Sequence, residues 1–259
     1  MSDLIEVSRS DAVVTVALNR PDRMNALNLP MWRGLAEAFA AIAADSSIHV
    51  AILRGKGDKA FAPGADIEEF DTHRANAEQA KAYDLVMRKA LDAVRRCPQP
   101  VVAAVYGPCV GGALELACCC DLRISARSGK FGVPINKISV VMAYPELAAI
   151  RRVVGPAAAL EILLEGRIMD ADEALSKRLV NRVVDDEAME GEIAATAKRI
   201  AAGAPLANRW HKAFIARLDD PAPVSDAELD ECYAFLATKD YAEGLAAFRA
   251  KRKPVFKAE

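Results

Sequence analysis

One stretch, residues 101–120, constrains this chain more than any other: twenty residues that contain a single charge, Glu115. A run so apolar is either a membrane span or the interior of a packed domain. Gly107, Pro108, Gly111 and Gly112 interrupt it in the middle, and nothing else in the chain reads as membrane-spanning. The pattern predicts a buried strand over 101–105, a tight turn, and a buried helix from about Gly112 to Cys120. Glu115 is the anomaly. A carboxylate inside an apolar stretch costs free energy, so its presence there needs a reason.

The rest of the chain supports the same architecture. Residues 5–7 and 13–18 read as strands around a hairpin-like break. Pro30 sits at the start of a helical stretch, 29–43, and residues 50–53 form a buried strand followed by a Gly-x-Gly loop. Residues 76–96 read as an amphipathic helix closed by Cys97-Pro98-Gln99-Pro100, and 122–125 as a third buried strand. Short apolar strands alternating with helices predict an α/β fold with parallel pairing. From about Glu146 the texture changes to Ala- and Leu-rich helices, with a brief strand at 179–184 and a wholly helical pattern from 205 to 257. The expected division is a core over 1–195 and a C-terminal helical region over 196–259.

Composition narrows the function. Thirty-four Lys and Arg against 36 Asp and Glu leave a net charge of -2, too balanced for a nucleic-acid binder. Residues 1–11 carry four charges and no apolar core, so no secretory signal is expected. Of the six cysteines, 118, 119 and 120 are adjacent and cannot pair with one another in ordinary disulfide geometry. Buried, reduced thiols in a cytoplasmic protein are expected. The spacings suggest no metal site, and His49, His73 and His211 match no triad pattern.

Two local patterns have the makings of a site. Gly111 and Gly112 stand directly before the predicted helix, where glycine lets a backbone approach a ligand and the helix start offers unpaired N–H groups. The Gly112 N–H is a natural oxyanion donor, and Glu115 follows within the first turn; equally, the glycines serve packing and Glu115 answers the helix dipole. The second pattern, Lys59-Ala-Phe-Ala-Pro-Gly-Ala-Asp-Ile67, places the small residues Ala62, Gly64 and Ala65 on a loop able to press against a ligand. Its plainer reading is a strand-to-helix loop with Asp66 as the cap of a short turn.

Together these patterns resemble the enoyl-CoA hydratase/isomerase (crotonase) superfamily. The resemblance rests on Phe61-Ala-Pro-Gly-Ala-Asp-Ile67 and Gly111-Gly-Ala-Leu-Glu-Leu116, joined by Pro100-Val-Val-Ala-Ala-Val-Tyr-Gly107. It extends to Asn25-Ala-Leu27, Gly155-Pro156, Leu164-Glu-Gly166 and the segment 241–254, covering nearly the whole chain. It implies a spiral of β-β-α units with a C-terminal helical region that mediates trimers, often paired into hexamers. The substrate implied is an acyl-CoA thioester of fatty-acid metabolism, coenzyme A being part of the substrate and no separate cofactor being needed. The resemblance places the thioester oxygen between the N–H groups of Ala65 and Gly112, flanked by Gly64 and Gly111. It runs the adenine and pantetheine along Arg23, Met24, Ala26, Ala62, Asp66 and Ile67. Phe248 and Lys251 would reach them from the C-terminal region of a neighbouring subunit.

The sequence departs from the family at one chemical position. Hydratases of the superfamily use two glutamates that flank a water. Glu115 matches the first, but the second position holds Ile135, which can neither give nor take a proton. The segment after it also diverges and carries Tyr144, as pocket lining, and Glu146. Glu146 reads either as a substitute acid or as a first-turn carboxylate favoured by the dipole. The expected activity is that of a hydratase or isomerase working through a thioester enolate with one retained acid–base group. Alternatives are a decarboxylase or thioester hydrolase sharing that step, or an acyl-CoA-binding protein without catalysis.

Overall fold

The computed structural model describes residues 3–259. The chain opens with an antiparallel hairpin, β1 (Ile5–Ser10) and β2 (Val13–Leu18), turning at Asp11 with φ 53°. Four further strands join in parallel: β3 (Val50–Gly55), β4 (Val101–Val105), β6 (Leu122–Ala126) and β9 (Arg182–Val184). The sheet order is β1-β2-β3-β4-β6-β9. A small second sheet combines β5 (Pro108–Val110), β7 (Lys130–Gly132) and β8 (Met169–Asp170) in the order β5-β7-β8.

The apolar strands are covered on both faces, which is why they show no polar alternation. On one face Ala51, Leu53, Val101, Ala103 and Val105 join the main core with helices α1 (Leu29–Ala44) and α3 (Ala77–Arg95). On the other, Val50, Ile52, Val102 and Ala104 meet Met189, Ile193 and Ala197 of α7 (Met189–Ala201). Successive side chains of one strand therefore feed two different cores. Asn28 and Asn76 cap α1 and α3, accepting from the N–H groups of Met31 (3.0 Å) and Gln79 (2.9 Å).

The stretch 101–120 divides as predicted, into β4, a turn and the buried helix α4 (Gly112–Cys118). The turn also contains β5, whose three residues pair with a strand that gave no apolar signal of its own. The carbonyls of Ala117 and Cys120, at the end of α4, accept from the buried guanidinium of Arg123 (3.3 and 2.6 Å), which also donates to Leu179 (2.8 Å). Among the described residues no helix is long and apolar enough to cross a membrane.

The remaining helices are α2 (Phe70–His73), α5 (Tyr144–Glu165, broken at Gly155), α6 (Ala171–Ser176), α8 (Pro205–Arg217), α9 (Asp226–Glu231) and α10 (Lys239–Arg249). Three expectations shift. β9 begins at Arg182 rather than 179, because Arg178 turns in the left-handed region (φ 61°) and the Leu179 carbonyl is taken by Arg123. The boundary at 195 falls inside α7, which packs as one unit on the sheet. Cys232 is exposed, whereas the other five cysteines are buried free thiols. Helices α8, α9 and α10 bury only Pro205, Asp240 and Ala247 between them.

Candidate active site

Two loops meet at the C-terminal ends of β3 and β4. The Ala62 N–H donates to Pro108 O (2.9 Å) and the Val110 N–H returns to Ala62 O (3.2 Å), while Phe61 N–H reaches Tyr106 O (2.7 Å). On its other side the first loop is tied to residue 27: Leu27 N–H donates to Gly64 O and Asp66 N–H to Leu27 O, both 2.8 Å. The loops touch through glycine. Gly64 has φ +116°, and a Cβ there would stand 3.0 Å from Val110 O. Gly111, at φ 56° and ψ -127°, would point a Cβ at Gly64 Cα, 4.0 Å away. Neither backbone conformation suits a residue with a side chain.

Around this contact most backbone donors are spoken for. Gly111 N–H binds Gly132 O (2.9 Å), and Gly111 O accepts from Leu114 (2.9 Å) and Glu115 (3.1 Å). The N–H groups of Ala65 and Gly112, like those of Gly64 and Ala113, find no acceptor among the described residues. Gly112 lies over the buried indole of Trp32, whose Nε1 donates to Tyr83 Oη (3.0 Å). A first helical turn leaves such N–H groups free to bind an incoming oxygen.

One turn further along α4 is Glu115, buried, with Oε2 lacking any hydrogen-bond partner. Burial, helped by the charge of Glu146 and, more weakly, Asp84, pushes its pKa up to about 8 against the pull of Arg74. Glu146, in the first turn of α5, is only 2% exposed. Arg88 Nε donates to its Oε1 (3.0 Å), and its Oε2 is also unpartnered. Arg88 in turn lies 3.6 Å from Asp84, which pairs with Arg74 at 2.9 Å. Two buried carboxyl groups that sense each other thus each keep one oxygen free, an arrangement that buried polar groups rarely tolerate without a use.

The sequence candidates fall into three groups. Ala62, Gly64, Ala65, Gly111, Gly112 and Glu115 come together as described. Arg23, Met24, Ala26, Asp66 and Ile67 gather beside them on the strap joined through Leu27. There Arg20 pairs with Asp66 (2.9 Å) and donates to Ala26 O (2.8 Å), and Arg23 pairs with Glu68 (2.7 Å). The Asp66 carboxylate is therefore engaged within the chain, capping the turn Ile67–Glu69 as well. Met24 and Ile67 are exposed apolar side chains on this strap. The third group is not assembled by this chain. Tyr144, the first residue of α5, is 89% exposed, while Glu146 two positions on turns inward. Phe248 (84% exposed) and Lys251 stand exposed at the end of α10. Ile135 is half-buried in the turn Pro134–Ile138 and packs on the main core.

Sequence reading missed Arg88, Arg74 and Arg20. Arg88 and Asp84 are an i, i+4 pair flanking the buried stripe Tyr83, Met87, Leu91 of α3. By pattern alone such a pair is a solvated helix face.

A parallel spiral with a loosely attached helical end, and glycine-hinged loops meeting beside a buried carboxyl, define the crotonase fold. The family model for enoyl-CoA hydratase/isomerase matches residues 8–259, and the chain belongs to that family. It is 34% identical to the crotonyl-CoA hydratase of Syntrophomonas wolfei over 254 residues, 97% of each chain. It is also 34% identical to the (E)-benzylidenesuccinyl-CoA hydratase of Thauera aromatica, over 98% of each. A crystal structure of an enoyl-CoA hydratase/carnithine racemase from Magnetospirillum magneticum superposes with TM-score 0.99 at 84% identity, covering all of this chain and 97% of that one.

Proposed function

We propose that this enzyme of the enoyl-CoA hydratase/isomerase type acts as a lyase, adding water across the 2,3 double bond of an enoyl-CoA thioester and reversing that addition. The observation that carries the reading is a buried carboxyl, Glu115, one helical turn from the unpartnered Gly112 N–H, on the loop that meets the Gly64–Ala65 loop. The thioester oxygen would accept from Ala65 and Gly112, where negative charge develops as the enolate forms. One such donor contributes roughly 3–4 kcal/mol to a transition state of this kind. Glu115, with its pKa near 8, is a proton donor at neutral pH and an acceptor just above it, the range an acid–base catalyst needs. Relatives named as hydratases support addition of water as the reaction.

Arg23, Met24, Ala26, Asp66 and Ile67 would carry the CoA portion along the strap, with Phe248 and Lys251 supplied by a second copy in a homotrimer or a pair of trimers. Five buried free thiols are in keeping with the reducing cytoplasm as its compartment. Ile135 favours one second reading, double-bond migration through the same enolate, because that reaction moves a proton between carbons and activates no water.

A turnover assay over 2-enoyl- and 3-enoyl-CoA thioesters of several chain lengths decides between them. Hydration of a 2-enoyl-CoA, lost about 10²–10⁴-fold in Glu115→Gln, is the expected result. Migration without hydration would replace lyase by isomerase, and equal rates for wild type and Glu115→Gln would remove Glu115 from the mechanism.

A further inference from the structure

We propose that Glu146 is the second catalytic carboxylate of this enzyme, taking over the proton transfer that Ile135 cannot perform, and that Arg88 is its positioning residue. The inference rests on the hydration reading above and specifies how the water is handled.

Glu146 lies eleven positions beyond Ile135, at the start of the helix against which the 135 turn packs. A first-turn acid that merely answers a helix dipole belongs in solvent, where its charge is hydrated. Glu146 is instead almost fully buried, and one of its oxygens is committed to Arg88. The other meets no donor, and the nearby Glu115 also has an unpartnered oxygen. A structural ion pair would use the carboxylate fully. Each of the two buried acids keeps an unpartnered oxygen, and we place the reacting water between them. Arg88 pairs with Glu146 at 3.0 Å, and the Glu115 pKa is pushed up first by burial and then by the charge of Glu146.

The step balances as follows. The water oxygen bonds to C3 of the enoyl group, and the water proton passes to the Glu146 carboxylate. The C2–C3 π electrons shift to the thioester enolate, stabilised at Ala65 and Gly112. Glu115 then gives its proton to C2, and the enolate electrons form that C–H bond. The product is a 3-hydroxyacyl-CoA, with Glu115 now the carboxylate and Glu146 the acid. Passage of one proton back through the next water restores the resting state.

The test uses steady-state hydration of the best 2-enoyl-CoA of the panel, with the affinity for the matching saturated acyl-CoA measured by calorimetry. Glu146→Gln is expected to lower kcat by 10²–10⁴-fold while acyl-CoA affinity stays within threefold. Arg88→Gln is expected to lower kcat more than tenfold at constant KM, and Arg88→Lys, which keeps the charge, to recover most of it. Hydration by Glu146→Gln within threefold of wild type, alongside a disabled Glu115→Gln, would overturn this inference and leave the hydration reading standing. So would a parallel loss of acyl-CoA affinity in the Glu146 and Arg88 variants. A wild-type enzyme that hydrates no enoyl-CoA would instead overturn the reading beneath it.

Discussion

Glu115, the proposed acid–base group, carries a cost in stability. Its pKa of about 8 lies well above the ordinary carboxylate value of 4.5, so the folded protein holds a proton that the unfolded chain releases. The sign follows from proton linkage. The stability from this group is complete below about pH 4.5, falls as pH rises toward 8, and is flat above that. Each pH unit in that window is worth roughly 1.4 kcal/mol at most. Urea unfolding at pH 6 and pH 8 is therefore expected to show wild type losing on the order of 2 kcal/mol relative to Glu115→Gln, which stays neutral throughout. The apolar run exposed Glu115 as a misfit in the sequence. Arg88 gave no such signal, since its partner Glu146 lies 58 residues away and only folding brings the two together.

At the scale of elements, the site depends on glycines placed where loops must touch. Gly111→Ala meets open space, its Cβ lying no closer than 4.0 Å to Gly64 Cα, yet φ 56° with ψ -127° is strained for alanine. We expect a stability loss of about 1–3 kcal/mol together with a disproportionate loss of kcat, because relaxation of residue 111 re-aims the Gly112 N–H. Comparison of melting temperature with turnover checks this. Arg123→Met leaves the carbonyls of Ala117, Cys120 and Leu179 without their buried donor, and chemical denaturation should register a loss on the order of 3 kcal/mol or more. Strands β2, β3 and β4 were legible because each is a compact apolar run. Strands β5, β7 and β8 were not: their two or three residues form a sheet only through partners distant in sequence. The turn at 178–181 is likewise set by Arg123 rather than by its own residues.

On the whole-molecule scale, the core is finished and the C-terminal region is not. Ile215, Leu218, Leu229, Tyr233, Leu236, Phe248 and Val255 are exposed on α8, α9, α10 and their connections. Light scattering after size-exclusion chromatography should give a mass of three or six chains of 27.8 kDa rather than one. Leu236→Glu is expected to lower that mass and, if Phe248 and Lys251 serve a neighbour, to raise KM for the CoA substrate with it.

The order of the main sheet has a consequence for how the molecule is made. Each strand after the first pairs with one that precedes it in the chain: β3 on β2, β4 on β3, β6 on β4, β9 on β6. A chain emerging from the ribosome therefore finds the docking edge for each later strand of this sheet already synthesised. The Gly64 and Gly111 loops both precede residue 120, so their mutual contact needs none of the helices α5 to α10. Glu146 and its helix come next, followed by α8, α9 and α10, so the interior is complete in sequence before the exposed apolar residues of those helices.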